Sequence, residues 1–351
     1  MSDQASGRVA MGPVSAERPT SGGSGRPADE KVLQVRKLKT CFFTHDGVVN
    51  ALEGLDLDVA AGEMIGIVGE SGCGKSTAAL SLMRLLPPQG KIVGGQIVLA
   101  GQDIMPLGER EMRRLRGPVV AMVFQDSLAA LDPTMKVGPQ LMEPLQTHLN
   151  MSHREARRTA VQLLTKVGIP DPERRMESYA HQFSGGMRQR VMIAIALACT
   201  PKLLIADEPT TALDVTVQKQ ILELMLVLRD ETGAGVLLIT HDVGVVAETC
   251  DRVVVMYAGR VVETGPTRAV FECPRHPYTI GLLGSTLELG RSRRELLPTI
   301  GGLPPMLIDL PPGCAFAPRC TRASDHCRQV TPALASVGAS HEAACWNLEA
   351  R

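Results

Sequence analysis

Residues 69–77 read Gly-Glu-Ser-Gly-Cys-Gly-Lys-Ser-Thr and fit the pattern G-x-x-x-x-G-K-[S/T] without substitution. Those residue types in that order suit one task, holding phosphate. Gly69, Gly72 and Gly74 let the backbone turn so that successive N–H groups face inward on phosphate oxygens. Lys75 adds a point charge for terminal phosphates, and the Ser76 hydroxyl can ligate Mg²⁺. The flanks agree: residues 64–68 are a short apolar run of strand length, and residues 76–86 read as a helix halted by Pro87-Pro88. Phosphate would then sit at a helix N-terminus, where free N–H groups and the dipole favour anions.

A second set of polar residues follows apolar strand-like runs. Residues 203–206 are apolar and lead into Asp207 and Glu208. Asp207 is placed to hold Mg²⁺ through its water shell, and Glu208 to orient or deprotonate an attacking water. Gln125 ends the run 119–124 and could reach Mg²⁺ or that water; His241 ends 236–240 and could contact a γ-phosphate. Taken alone, a Gln or His after a strand is usually structural. Ser184, Gly185 and Gly186 open a further helix with exposed N–H groups suited to another phosphate. One nucleotide does not need two such cradles in one chain. The economical explanation is a dimer in which each Ser-Gly-Gly caps the nucleotide held by the other chain's phosphate loop.

These residues need a scaffold, and the hydrophobic pattern supplies one. Residues 1–30 are rich in Gly, Ser, Pro and Ala and are expected to be a disordered tail. Alternating apolar residues over 32–43, 52–59 and 95–99 predict an antiparallel sheet beside the phosphate loop. Residues 128–184 read as helical, with a capping box at Ser152 and Glu155 opening a helix through Val167. Helices over 186–199 and 214–232 alternate with strands at 203–206 and 236–240, which predicts a parallel α/β sheet with ligands at the strand C-termini. Residues 252–257 and 260–263 read as a hairpin.

The chain has 351 residues, room for one large domain and a smaller one. Thirty-seven basic residues balance 37 acidic ones, and no block of like charge suggests a nucleic-acid arm. The apolar run 191–199 is too short to span a membrane, and no charged-then-apolar leader opens the chain. A cytoplasmic protein is therefore expected, with any membrane role acting through a partner.

Together these motifs resemble the ATP-binding subunit of an ABC transporter, most closely the oligopeptide/dipeptide importer branch, from about Val32 to the C-terminus. The resemblance implies an ABC-type P-loop ATPase of α/β class, with a parallel-sheet core, an antiparallel β subdomain, a helical subdomain over about 126–185 and a small Cys-rich C-terminal extension. The ATPase domain would cover 31–275 and the extension 276–351. Residues 69–77, Ser71 and Thr77 included, become Walker A, Gln125 the Q-loop glutamine, residues 184–187 the signature, and 203–207 Walker B. Glu208 becomes the catalytic carboxylate, residues 212–214 the D-loop and His241 the switch histidine. The signature departs from the usual L-S-G-G-Q in having Phe183 and Met187 at its ends, as similar importer subunits do. Phe42 matches the aromatic that stacks on adenine; its neighbour Phe43 is an alternative, and ordinary strand packing accounts for either.

The resemblance further implies ATP and Mg²⁺ as ligands and a second, homologous ATP-binding subunit in a heterodimer. It also implies two membrane permeases, an extracytoplasmic peptide-binding protein, and a place on the cytoplasmic face of the cell membrane. The rival is a soluble ABC ATPase of DNA repair, translation or iron–sulphur assembly. Cys314, Cys320, Cys327 and Cys345 crowd the last 38 residues, a stretch poor in large apolar side chains that would profit from a metal staple. Members of this branch with a similar cysteine tail carry a 4Fe–4S cluster, which the four thiolates are expected to ligate; structural zinc is the alternative.

Overall fold

The computed structural model describes residues 30–211, 213–285 and 300–348. The expected tail, except Glu30, and Ala212 of the expected D-loop lie outside the described residues. Among the described residues, twelve strands run in chain order as β1 (Lys31–Thr44), β2 (Gly47–Ala60), β3 (Met64–Val68), β4 (Gly90–Leu99), β5 (Gln102–Asp103), β6 (Val120–Val123), β7 (Leu203–Asp207), β8 (Gly235–Ile239), β9 (Arg252–Tyr257), β10 (Arg260–Pro266), β11 (Ala335–Gly338) and β12 (His341–Ala343). They form an antiparallel sheet in the order β2-β1-β4-β5 and a larger sheet in the order β11-β12-β10-β9-β3-β8-β7-β6. From β9 to β6 the larger sheet is parallel; beyond β9 it is antiparallel.

The central strands read as unbroken apolar runs because both faces of the parallel sheet are covered. β3, β7 and β8 are buried along their whole length. Side chains alternate between the faces. Met64, Val68, Leu204, Ala206, Val236 and Leu238 pack with the helical layer, whose Leu141, Leu145, Ala160, Leu164, Val191 and Ile193 are all buried. Ile65, Ile67, Leu203, Ile205, Leu237 and Ile239 face the antiparallel sheet and the helix Lys75–Met83. Each such buried Leu, Ile, Val or Met side chain contributes roughly 1.5–3 kcal/mol.

The helical layer between β6 and β7 includes Ser127–Ala130, Val137–Leu149, His153–Lys166 and Pro172–Arg175. The predicted capping box is present: the Ser152 hydroxyl accepts from the Glu155 N–H, and the Glu155 carboxylate accepts from the Ser152 N–H. The helix after the phosphate loop is shorter than predicted. It stops at Met83, ahead of the prolines, because Arg84 turns left-handed at φ 51° while its guanidinium donates to the carbonyls of Ile104 and Leu107. Among the described residues, no helix is long and apolar enough to cross a membrane.

The C-terminal segment docks on this frame. β12 pairs with β10 and β11 with β12, so the segment extends the larger sheet. At the junction, Glu263 is fully buried and accepts the N–H groups of Arg275 and His276 at 2.6 and 2.9 Å, with His341 Nε2 at 2.8 Å. His276 caps the helix Pro277–Gly284 by accepting the Tyr278 N–H on Nδ1, and its ring lies beside Phe316. Burial pushes the His276 pKa down to about 4 from the ordinary 6.5. The unfolded chain therefore takes up a proton between pH 6.5 and 4 that native His276 rejects. The stabilisation is complete above pH 6.5 and is lost as pH falls toward 4, on the order of 3 kcal/mol in all. His276→Asn keeps a capping acceptor and should flatten the fall of Tm across that window. Parallel Tm curves for variant and wild type would contradict this.

Candidate functional site

The register of the parallel strands brings their C-terminal ends to one edge. Ile67 and Asp207 both lie opposite Ile239, and Val123 lies opposite Ala206. The residues just beyond those ends, 69–77, 125, 208 and 241, therefore meet although the chain separates them widely.

The phosphate loop joins β3 to the helix Lys75–Met83, with Gly74 as N-cap at φ 104°. Here glycine is required by packing as well as by turning. A Cβ on Gly74 would sit 2.5 Å from the Ala51 carbonyl oxygen, and one on Gly69 2.3 Å from that of Met256. Lys75 is only 6% exposed, and its Nζ donates to the carbonyls of Gly69 at 2.7 Å and Glu70 at 3.0 Å. Ser76 Oγ donates to Asp207 Oδ1 at 3.1 Å. Burial raises the Asp207 pKa and the Glu208 charge adds to the rise, while the Ser76 hydrogen bond and Lys75 oppose it. A hydroxyl and a carboxylate side by side are hard oxygen donors of the kind Mg²⁺ takes, so the residues present fit that ion.

Glu208 follows β7 with φ 46°, a left-handed conformation rare for an L residue and common at active sites. Its N–H is fixed to the Ile239 carbonyl at 2.8 Å. Its Oε2 accepts from Gln125 Nε2 at 3.0 Å and Thr211 Oγ1 at 2.9 Å, and His241 Nδ1 lies 3.4 Å from Oε1. The carboxylate is thus aimed by partners from three loops.

Phe42, Ser71, Gly72, Gly74, Lys75, Ser76, Thr77, Gln125, Glu208 and His241 all line one cleft of about 520 Å³. Phe43 does not; it is 47% exposed, with the Lys91 amine over its ring. Ser184, Gly185 and Gly186 do not line the cleft either. Ser184 caps the helix Gly185–Leu197 by accepting the Met187 N–H, and a Cβ on Gly186 would strike Val217 at 2.6 Å.

Sequence reasoning missed Thr211, Val49, Ala51 and Leu307. Thr211 carries a local signal, three residues beyond Glu208. Leu307 carries none: it lines the cleft from the C-terminal segment, where its carbonyl accepts the Asn50 N–H at 3.0 Å.

The expected 4Fe–4S cluster, and zinc as its alternative, are not supported. Cys314, Cys320, Cys327 and Cys345 face one small pocket with Phe316 and Trp346. Yet among the described residues no group of three or more His, Cys, Asp or Glu is placed to hold a metal ion, and none of these four cysteines is in a disulfide. A staple is needed only by a segment without packing partners of its own. Strand pairing to β10, the buried Glu263–His341 contact and Phe316 packed against Tyr257 and Tyr278 supply the missing anchorage.

Comparison with known proteins follows the same division. The ABC transporter family model matches residues 52–211, and the model for the C-terminal region of oligopeptide/dipeptide transporters matches 262–327. A probable peptide ABC transporter ATP-binding protein of Sinorhizobium fredii is 51% identical over 91% of this chain and 96% of its own length. The dipeptide transport ATP-binding protein DppD of Bacillus subtilis is 50% identical over 90% and 95%. Among solved structures, a dimeric ATP-binding cassette in a post-hydrolysis state with ADP and Pi superposes with a TM-score of 0.61 at 28% identity, over 67% of this chain and 99% of that one. The chain belongs to the ATP-binding proteins of ABC transporters, in the oligopeptide/dipeptide branch.

Proposed function

We propose that the chain is the ATP-hydrolysing subunit of a peptide importer, peripheral on the cytoplasmic face of the membrane, and that it works as one half of an ATP-binding dimer. The observation that carries this reading is the edge where Lys75, Asp207, Gln125, Glu208 and His241 converge while Ser184–Gly186 stand apart. The first set can hold and hydrolyse a nucleotide. The second set would complete the site of a partner subunit.

In this reading residues 69–77 bind the phosphates, with Lys75 adding a phosphate oxygen to its carbonyl partners. Ser76 and Asp207, with Gln125, would hold Mg²⁺, which neutralises phosphate charge when bound. Phe42 would stack on the base. Glu208, aimed by Gln125 and Thr211, would take a proton from the attacking water, and His241 would contact the γ-phosphate. The helical subdomain, about 126–185, would pass the resulting motion to two permeases, since Gln125 links it to the nucleotide. The ATPase domain would span 31–275 and the extension 276–351. The names of the relatives support peptide as cargo; a solute-binding protein that delivers it and a homologous second subunit are the partners we favour. The match to the oligopeptide/dipeptide C-terminal region favours transport over soluble repair, translation or cluster assembly.

The composite site sets the test. Dilute, verified monomer should hydrolyse ATP poorly. Assembly with permeases and partner should raise the rate at least about tenfold, because catalytic groups positioned across an interface each contribute on that scale or more. Peptide-loaded binding protein should raise it further. Full activity in the monomer would contradict the reading.

A further inference from the structure

Glu70 occupies a position that the phosphate-loop pattern leaves free, yet each of its polar groups is engaged. Its N–H donates to Tyr278 Oη at 2.8 Å, and its carbonyl accepts the Lys75 amine at 3.0 Å. Its carboxylate takes both arms of Arg319, Nη1 to Oε2 at 2.6 Å and Nη2 to Oε1 at 2.9 Å. Two of those three ties come from beyond the ATPase core, Arg319 from 249 residues away.

The far side of the tie is rigid. Tyr278 is fully buried against Tyr257, ring centroids 4.6 Å apart, and Phe316, 5.5 Å apart. The Arg319 side chain is 5% exposed. Its Nε donates to the Gly301 carbonyl at 2.9 Å, and its head lies 5.8 Å from the Tyr257 ring and 5.9 Å from that of Phe316. A planar fork held this way gives bidentate pairing that lysine cannot reproduce.

Electrostatics gives the tie a purpose. A bare carboxylate beside the phosphate cradle would repel an anionic nucleotide, and Arg319 cancels that charge at contact distance. The same carboxylate belongs to the residue whose carbonyl holds Lys75. We propose that Arg319 and Tyr278 are positioning residues for nucleotide binding: acting through Glu70, a residue of the phosphate loop, they neutralise its carboxylate and fix the Lys75 amine. This rests on the ATP-site reading above. It gives the C-terminal segment a part in ATP affinity, beyond its place in the fold.

The test is equilibrium titration of the full chain with MgATP, with KM and kcat of the assembled transporter measured alongside. Arg319→Met should raise the Kd for MgATP about tenfold, the size of one lost charge-assisted contact. KM should rise with it while kcat stays within about twofold. Adding Glu70→Gln to Arg319→Met should restore affinity to within about threefold of wild type, since the repelling charge has gone. Tyr278→Phe, which removes one hydroxyl and keeps the ring, should raise Kd about threefold.

A merely structural tie predicts otherwise: a smaller active fraction, lower kcat, unchanged KM and no rescue by the second substitution. That pattern overturns the proposal, as does wild-type affinity in Arg319→Met. If Arg319→Met does not fold, Tyr278→Phe decides, and an unchanged Kd there overturns it. Failure of the wild-type chain to bind MgATP would instead remove the ATP-site reading itself.

Discussion

Glu208→Gln is expected to lower ATP turnover in the assembled transporter by about 10²–10⁴-fold while leaving MgATP affinity within about threefold of wild type. The substitution is nearly isosteric, and its amide oxygen can still accept from Gln125 and Thr211, which now hold Glu208 Oε2. In the proposed reading phosphate binding rests on Lys75 and the loop N–H groups, and the substitution removes only the proposed proton acceptor. A thousandfold loss corresponds to about 4 kcal/mol of transition-state stabilisation. Because hydrolysis is what would reopen the dimer, MgATP should also drive the variant into a long-lived dimer visible by sedimentation. Turnover within tenfold of wild type would assign the proton acceptor elsewhere.

Lys75→Ala should act on the other side of the cycle, raising the Kd for MgATP about 10²-fold. A hydrogen bond from a charged group contributes roughly 1.5–3 kcal/mol, and more where burial limits screening. Lys75 lines the cleft and is nearly buried. Its amine is already desolvated and held by the Gly69 and Glu70 carbonyls, so it meets phosphate without being stripped of water first. The same titration that reads Kd checks the variant's folding through its Tm. Unchanged affinity would mean that the loop holds phosphate by backbone alone.

Much of this site was legible because its signals are local. The phosphate loop is nine consecutive residues, and a strand and a helix follow from its flanks. Asp207 and Glu208 advertise themselves as two carboxylates after an apolar run, and Gln125 and His241 as polar residues after others. That these four meet is a property of sheet order, which chain order alone does not reveal. Helix ends were less legible: Arg84 ends its helix early through carbonyls 20 and 23 residues away. The C-terminal segment was read least well. Its poverty in large apolar residues pointed to a metal staple, whereas its stability comes from partners far off in sequence, β10, Glu263 and Glu70. No spacing rule joins Glu70 to Arg319 or brings Leu307 to the lining of the cleft.

The central claim is that the cleft at the strand ends is an ATP site, and titration of the full-length chain with MgATP at equilibrium tests it most directly. Saturable binding of one nucleotide per chain, competed by ADP and weakened about 10²-fold in Lys75→Ala, is the expected result. Absence of saturable binding, or binding indifferent to Lys75→Ala, would contradict the account.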